Sequence, residues 1–218
     1  VLWVNRDAMA AAGVDPDTDL STWQSVGTAL TALKAGGEEC PLVTAWQSWI
    51  HLENFSAYHD VPFATKDNGF AGLDTELTLN GPAQVAHLSA MGQWAKDGKF
   101  IYTGRRNEGG ANFRAGECAL FTESSAGYAG IKKEAEFNFE VRPLPYWKGV
   151  GNSPQNTIIG GASLWVMEGH SDAEYKGAGE FLSYLSSTDV QAQWHQDTGY
   201  LPITAAAGDA TRASGFYA

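Results

Sequence analysis

At 218 residues the chain is long enough for one domain or a pair, with a core that hides roughly 70% of its unfolded surface. Its 44% hydrophobic and 18% charged residues are ordinary for a globular protein, and no apolar run approaches the ~20 residues of a membrane-spanning helix. A net charge of −11 excludes nucleic acid or an anionic membrane held by bulk field, although backbone amides can still build one local anion site.

The chain opens on V-L-W-V, without Met and already inside a strand pattern, and reads as a piece of a longer protein. Residues 2–4 end that strand, and Asn5 caps a short helix stopped by Gly13. Ser21 or Thr22 caps a second helix through Lys34, with Trp23, Val26, Leu30 and Leu33 at helical spacing. Residues 41–46 form a short strand, and the aromatic segment 46–59 is helical from about Gln47. Residues 73–79 alternate and predict an edge strand. Asn80 is expected to cap a helix over 81–97, with Val85, Leu88, Met91 and Trp94 as its core stripe.

Residues 99–110 form a polar, basic, glycine-containing loop. A short helix over 111–116 leads to a strand over 118–122, and Ser124 and Ser125 precede a helix over 126–135. Residues 137–143 alternate as a strand. T-I-I-G-G-A-S-L-W-V-M over 157–167 reads as a buried strand interrupted at Gly160 and Gly161. Helices follow over 171–185 and 188–196, and the small, polar tail after Ala205 is expected to fray. Strands followed directly by helices, without an internal repeat, predict an α/β layer architecture.

Cys40 and Cys118 each open an apolar run. A disulfide requires Cα atoms within ~7 Å, as neighbouring strands would bring them; two buried free thiols are the equal alternative.

Catalytic patterns are poor. His51 and Glu53 diverge on a helix, His59 completes no H-E-x-x-H, and all three read as surface or capping residues. Ser124 and Ser125 lack a G-x-S-x-G elbow, and His195 has no ligand partner at metal spacing. Binding patterns are better. Trp46 and Trp49, three apart, can share one helical face as a wall for a polyol, or can both be core. Ser124 and Ser125 stand where a strand meets a helix, a place for an anion or merely an N-cap. Gly199 caps a helix and presents Tyr200 on a turn. Gly160 and Gly161 leave room for backbone to approach a ligand, or only for packing.

W-Q-S-W-I-H-L-E-N-F-S-A, F-x-x-G-E-C-A-L-F-T-E-S-S, S-P-Q-N-T-I-I-G-G-A-S-L-W-V-M and W-H-Q-D-T-G-Y-L-P-I-T together resemble the periplasmic glycerol-3-phosphate-binding proteins of ABC uptake systems. These sit among the extracellular solute-binding proteins that include the maltose binder. The resemblance runs over nearly the whole chain. It implies a periplasmic-binding-protein-like α/β fold of two lobes, here mostly the second. The expected parts are a hinge or first-lobe remnant over 1–20, a ligand-contacting lobe over 21–155, and a crossover strand with C-terminal helices over 156–218. By the same resemblance Trp46 and Trp49 pack on glycerol carbons, and Ser124 and the Gly161 backbone hydrogen-bond the phosphate or polyol. Tyr200 donates to phosphate. Further contacts, a Tyr, a Glu, a Ser and an Arg, fall on no position of this chain.

The implied function is extracytoplasmic capture of glycerol-3-phosphate or a glycerophosphodiester for an ABC permease. It is implied to be non-catalytic, without metal or cofactor, monomeric, independent of nucleic acid, and periplasmic or lipid-anchored. The alternatives are a sugar or oligosaccharide binder of the same fold and, more distantly, a glycerophosphodiester-processing enzyme.

Overall fold

A computed structural model describes residues 1–217. The chain divides into two compact units, one of Val1–Ser124 with Glu134–Ile159, the other of Ser125–Lys133 with the chain from Gly160 onward.

The first unit is built on five strands: β1 (Leu2–Asn5), β2 (Leu42–Thr44), β3 (Phe100–Ile101), β4 (Leu120–Thr122) and β5 (Phe139–Arg142). Their order is β3-β2-β4-β1-β5. β3, β2 and β4 run parallel, and β1 lies antiparallel between β4 and β5. Helices α1 (Arg6–Ala11), α2 (Trp23–Ala35), α3 (Phe55–Tyr58), α4 (Pro82–Lys96) and α5 (Glu108–Arg114) cover it. The helix that follows β4 in sequence, α6 (Tyr128–Glu134), belongs but for its last residue to the second unit.

Caps explain the helix starts. Asn5 Oδ1 accepts from Ala8 N–H at 2.9 Å, and Thr22 forms a reciprocal capping box with Ser25. The sheet alternates. Leu2, Val4, Leu42 and Leu120 join Trp23, Val26, Leu30 and Leu33 of α2 in one core, each large side chain stabilised by about 1.5–3 kcal/mol on leaving water. On residues of the opposite parity Phe121 stacks on Phe113 of α5 at 5.3 Å. Gly109 permits that approach: a Cβ there would stand 2.5 Å from Thr44 O. Cys40 and Cys118, just ahead of the parallel neighbours β2 and β4, form a disulfide with Cα atoms 4.5 Å apart.

Several expectations are corrected. The buried residues of α4 are Gln84, His87 and Met91, while Val85 and Leu88 face out. Polar side chains can occupy a core face when paired, and Gln84 Nε2 donates to Ser56 Oγ and Pro62 O, both at 3.2 Å. Its N-cap is Gly81, without a side-chain bond. Residues 73–79 form no strand beyond one bridge, Ala64 to Leu77. His51 and His59 are buried rather than surface groups.

The second unit contains α7 (Asp172–Leu185), α8 (Thr188–Thr198) and α9 (Ala205–Ala213). Ser171 and Glu174 make a capping box on α7. The tail expected to fray is α9. Thr204 caps it through Ala207 N–H at 3.3 Å, and Ala207 and Thr211, four apart, are buried. Residues 157–167 are not a strand: among the described residues they have no ladder partner, and Ile159 and Trp165 are 94% and 82% exposed. A strand without a neighbour leaves its backbone groups to water.

Candidate functional site

Parallel strands in open α/β sheets present ligand loops at their carboxyl ends. Here β2 delivers Ala45 and Trp46, and β4 delivers Glu123 and Ser124. Thr44 and Thr122, the last residues of the two strands, are in register, and Thr122 Oγ1 donates to Thr44 Oγ1 at 2.7 Å.

Trp46 is not on a helical face with Trp49. It takes φ +47°, a left-handed conformation rare for a large side chain and associated with functional sites. The residue is 42% exposed. Trp49, which starts a π-helical turn over Trp49–Asn54, packs partly buried against the α2 core. The i, i+3 spacing therefore parts the two rings: one is presented to solvent and the other leans on the core. Ser124 is partly buried, and its N–H donates to Glu123 Oε1 at 2.7 Å. Burial pushes the Glu123 carboxyl up from its ordinary range, against the opposing pull of that N–H. A 3₁₀ turn, Ser125–Gly127, leads on into α6.

Under these strand ends lies a polar column that sequence reading missed. His51 Nε2 is 3.0 Å from Thr44 Oγ1 and 3.1 Å from Thr122 Oγ1. His51 Nδ1 meets His87 Nε2 at 3.2 Å, and His87 Nδ1 accepts from Trp147 Nε1–H at 3.0 Å. His59 Nε2 accepts from Trp147 N–H at 2.8 Å while its Nδ1 bonds Phe55 O at 2.7 Å. Burial lowers all three imidazole pKa values, that of His51 to about 3. These neutral rings tie β2, β4, α3 and α4 together below Trp46 and Ser124. They reach one another from distant stretches of chain, so no local spacing announces them.

The second unit brings its own two candidates together. A Cβ built on Gly161 would lie 3.8 Å from Tyr200 Cε1. Gly161 has φ +118°, so an alanine would be strained there whatever the space. Gly199 caps α8 in the left-handed conformation as expected (φ +80°), and a Cβ on it would meet Ser125 O at 2.2 Å. His195 Nδ1 bonds Tyr200 O at 2.7 Å, which makes it a positioning residue for that turn.

A surface depression of about 550 Å³ lies elsewhere, among Asn5, Asp7, Arg114, Glu134 and Phe137. Its arginine is already paired with Glu134 at 2.6 Å, so it suits an anion poorly. Among the described residues no group of three His, Cys, Asp or Glu is placed to hold a metal.

A family model for bacterial extracellular solute-binding proteins matches residues 1–214. The sn-glycerol-3-phosphate-binding periplasmic proteins of Yersinia pestis and Escherichia coli are 46% and 47% identical over 217 residues. Those matches cover 100% of this chain and 49% and 50% of the relatives, so the chain spans about half their length. The crystal structure of UgpB from Mycobacterium tuberculosis in complex with glycerophosphocholine superposes with a TM-score of 0.71 at 20% identity, covering 97% of this chain and 53% of that one. A cyclic alpha-maltosyl-1,6-maltose binding protein from Arthrobacter globiformis gives 0.70 at 20%, covering 98% and 54%. At that identity the two structures establish the α/β binding-protein fold.

Proposed function

This chain belongs to the bacterial extracellular solute-binding protein family, and from that premise we propose that it captures glycerol-3-phosphate or a glycerophosphodiester for an ABC permease. The observation that carries the reading is Trp46: an exposed indole held left-handed at the carboxyl end of β2, level with Ser124 at the end of β4. An indole face suits glycerol carbons, and a serine hydroxyl suits a phosphate or polyol oxygen. Trp49, partly buried against the core, is the second proposed contact for the glycerol carbons. In the second unit, the Gly161 backbone and the Tyr200 hydroxyl are the proposed contacts. The ligand for which the Yersinia pestis and Escherichia coli relatives are named agrees with this chemistry.

The mechanism is differential binding: ligand stabilises one conformation, which the permease recognises. No catalytic role is assigned, since the four buried histidines, His51, His59, His87 and His195, spend both ring nitrogens on one another and on neighbouring groups. The Cys40–Cys118 disulfide fits an oxidising compartment outside the cytoplasm.

The sugar reading rests on the maltosyl-binding neighbour, which has nearly the same TM-score. Thermal unfolding of the full-length protein carrying this sequence separates the readings. A ligand at 100 times its Kd stabilises by about 2.7 kcal/mol. Glycerol-3-phosphate or glycerophosphocholine is expected to raise the midpoint. A rise with maltose alone would transfer the protein to the sugar binders, and release of choline from glycerophosphocholine would make it an enzyme.

A further inference from the structure

The third parallel strand also ends at this edge. β3 lies beside β2, and the loop that leaves it carries Tyr102, Arg105 and Arg106, all exposed. This loop is fastened to the candidate site through backbone. Trp46 N–H donates to Arg106 O at 2.8 Å, and the Gln47 side chain donates to Gly104 O. The left-handed conformation of Trp46 and the path of the loop are therefore one arrangement.

The two arginines are also unlike the rest. Among the described residues, Arg6, Arg114, Arg142 and Arg212 each pair with a carboxylate, and Arg105 and Arg106 do not. Glu108, the acid closest in sequence, accepts at Oε2 from the Arg106 backbone N–H at 2.6 Å instead of from a guanidinium. In a chain with 25 acidic residues against 14 basic ones, these two adjacent arginines keep their guanidinium groups out of the ion pairs that the other four make.

We propose that the loop between β3 and α5 is a ligand-binding loop, in which Arg105 and Arg106 take the phosphate of a ligand whose glycerol carbons rest on Trp46. This rests on the functional reading above and adds two phosphate-binding residues to it. Guanidinium matches phosphate in geometry as well as charge, through paired N–H donors, and the exposed side chains keep that donor set unspent. The ordinary alternative is a solvated basic loop whose arginines serve only general solubility.

The test is calorimetric titration of the full-length protein with glycerol-3-phosphate, for the parent and for Arg105→Gln/Arg106→Gln. A control, Lys34→Gln/Lys96→Gln, removes the same charge at the C-terminal turns of α2 and α4, which lead into the amino ends of β2 and β3, opposite the carboxyl ends that carry the site. Arg105, Arg106 and Lys96 are exposed and Lys34 is half-buried beside Glu39, and circular dichroism confirms folding of both variants. The arginine variant is expected to lose roughly 10- to 100-fold in affinity, the scale of hydrogen bonds to a charged group, and to flatten the salt dependence. The lysine variant is expected to lose less than about 3-fold, because surface charges a Debye length or more away are screened. Equal losses in the two variants, or an arginine variant that binds like the parent, overturn this proposal and leave the functional reading standing. A parent that binds no glycerol phosphate overturns both.

Discussion

His87 Nε2 stands 3.2 Å from His51 Nδ1, with both rings buried beneath the strand ends that carry Trp46 and Ser124. An indole N–H only donates, so the Trp147 bond fixes His87 Nδ1 as acceptor and, by the network, puts the His87 proton on Nε2. That proton faces His51 Nδ1, which leaves His51 Nε2–H to donate to the Thr44 and Thr122 hydroxyls. Every nitrogen is used, and one added proton sets two donors against each other.

Acid should therefore loosen the first unit. The folded pKa values of His51, His59 and His87 lie below the ordinary 6.5, so the unfolded chain takes up protons first. Their contribution to stability is complete above pH 6.5 and is lost as pH falls toward the folded value, about 3 for His51. For His51 alone the loss between pH 7.5 and 5 is on the order of 2 kcal/mol. Glu123 opposes it, because a raised carboxyl favours the folded form in acid. Urea midpoints at pH 7.5 and 5 measure the balance, and a midpoint that holds or rises at pH 5 would contradict the neutral column.

The disulfide closes a loop with a sequence separation of 78. Removing such a crosslink releases chain entropy in the unfolded state, and native disulfides typically contribute about 2–5 kcal/mol. The Cys40→Ser/Cys118→Ser variant should lose stability in that range. A loss below about 1 kcal/mol would mean that the sheet pairing of β2 and β4 suffices alone.

Gly199 and Gly13 separate strain from crowding. Both have positive φ, +80° and +74°. A Cβ on Gly13 meets nothing within 4 Å, but one on Gly199 meets Ser125 O at 2.2 Å and Tyr128 Cβ at 2.6 Å. Gly13→Ala should cost about 1–2 kcal/mol, and Gly199→Ala about 2–4 kcal/mol, with overpacking added to backbone strain. Equal thermal shifts would show that the tight approach at Gly199 relaxes freely.

Trp46→Gly tests the site without breaking the fold. Glycine accepts φ +47° without strain, which offsets its greater freedom in the unfolded chain, so the cost should be that of the half-buried indole, about 2–3 kcal/mol, and leave the protein folded. Affinity for glycerol-3-phosphate should fall 10-fold or more. A variant that binds normally but melts early would make Trp46 a packing residue.

Much of the helical frame was legible because caps are local. Asn5, Thr22, Ser171 and Gly199 each mark a boundary through bonds to residues one turn away. The inward face of α4 was illegible because Gln84 and His87 are polar, and their burial depends on partners from other elements. Residues 157–167 carry strand composition, but a strand is completed only by a neighbour, and local sequence does not supply one. The Trp46 turn was hidden for a similar reason: Arg106 O, from the far side of β3, holds it.

Calorimetric titration of the full-length protein carrying this sequence with glycerol-3-phosphate, glycerophosphocholine and maltose tests the central claim most directly. The account predicts saturable one-to-one binding of at least one glycerol phosphate and no heat from maltose. Saturable binding of maltose with no response to either phosphate would contradict it.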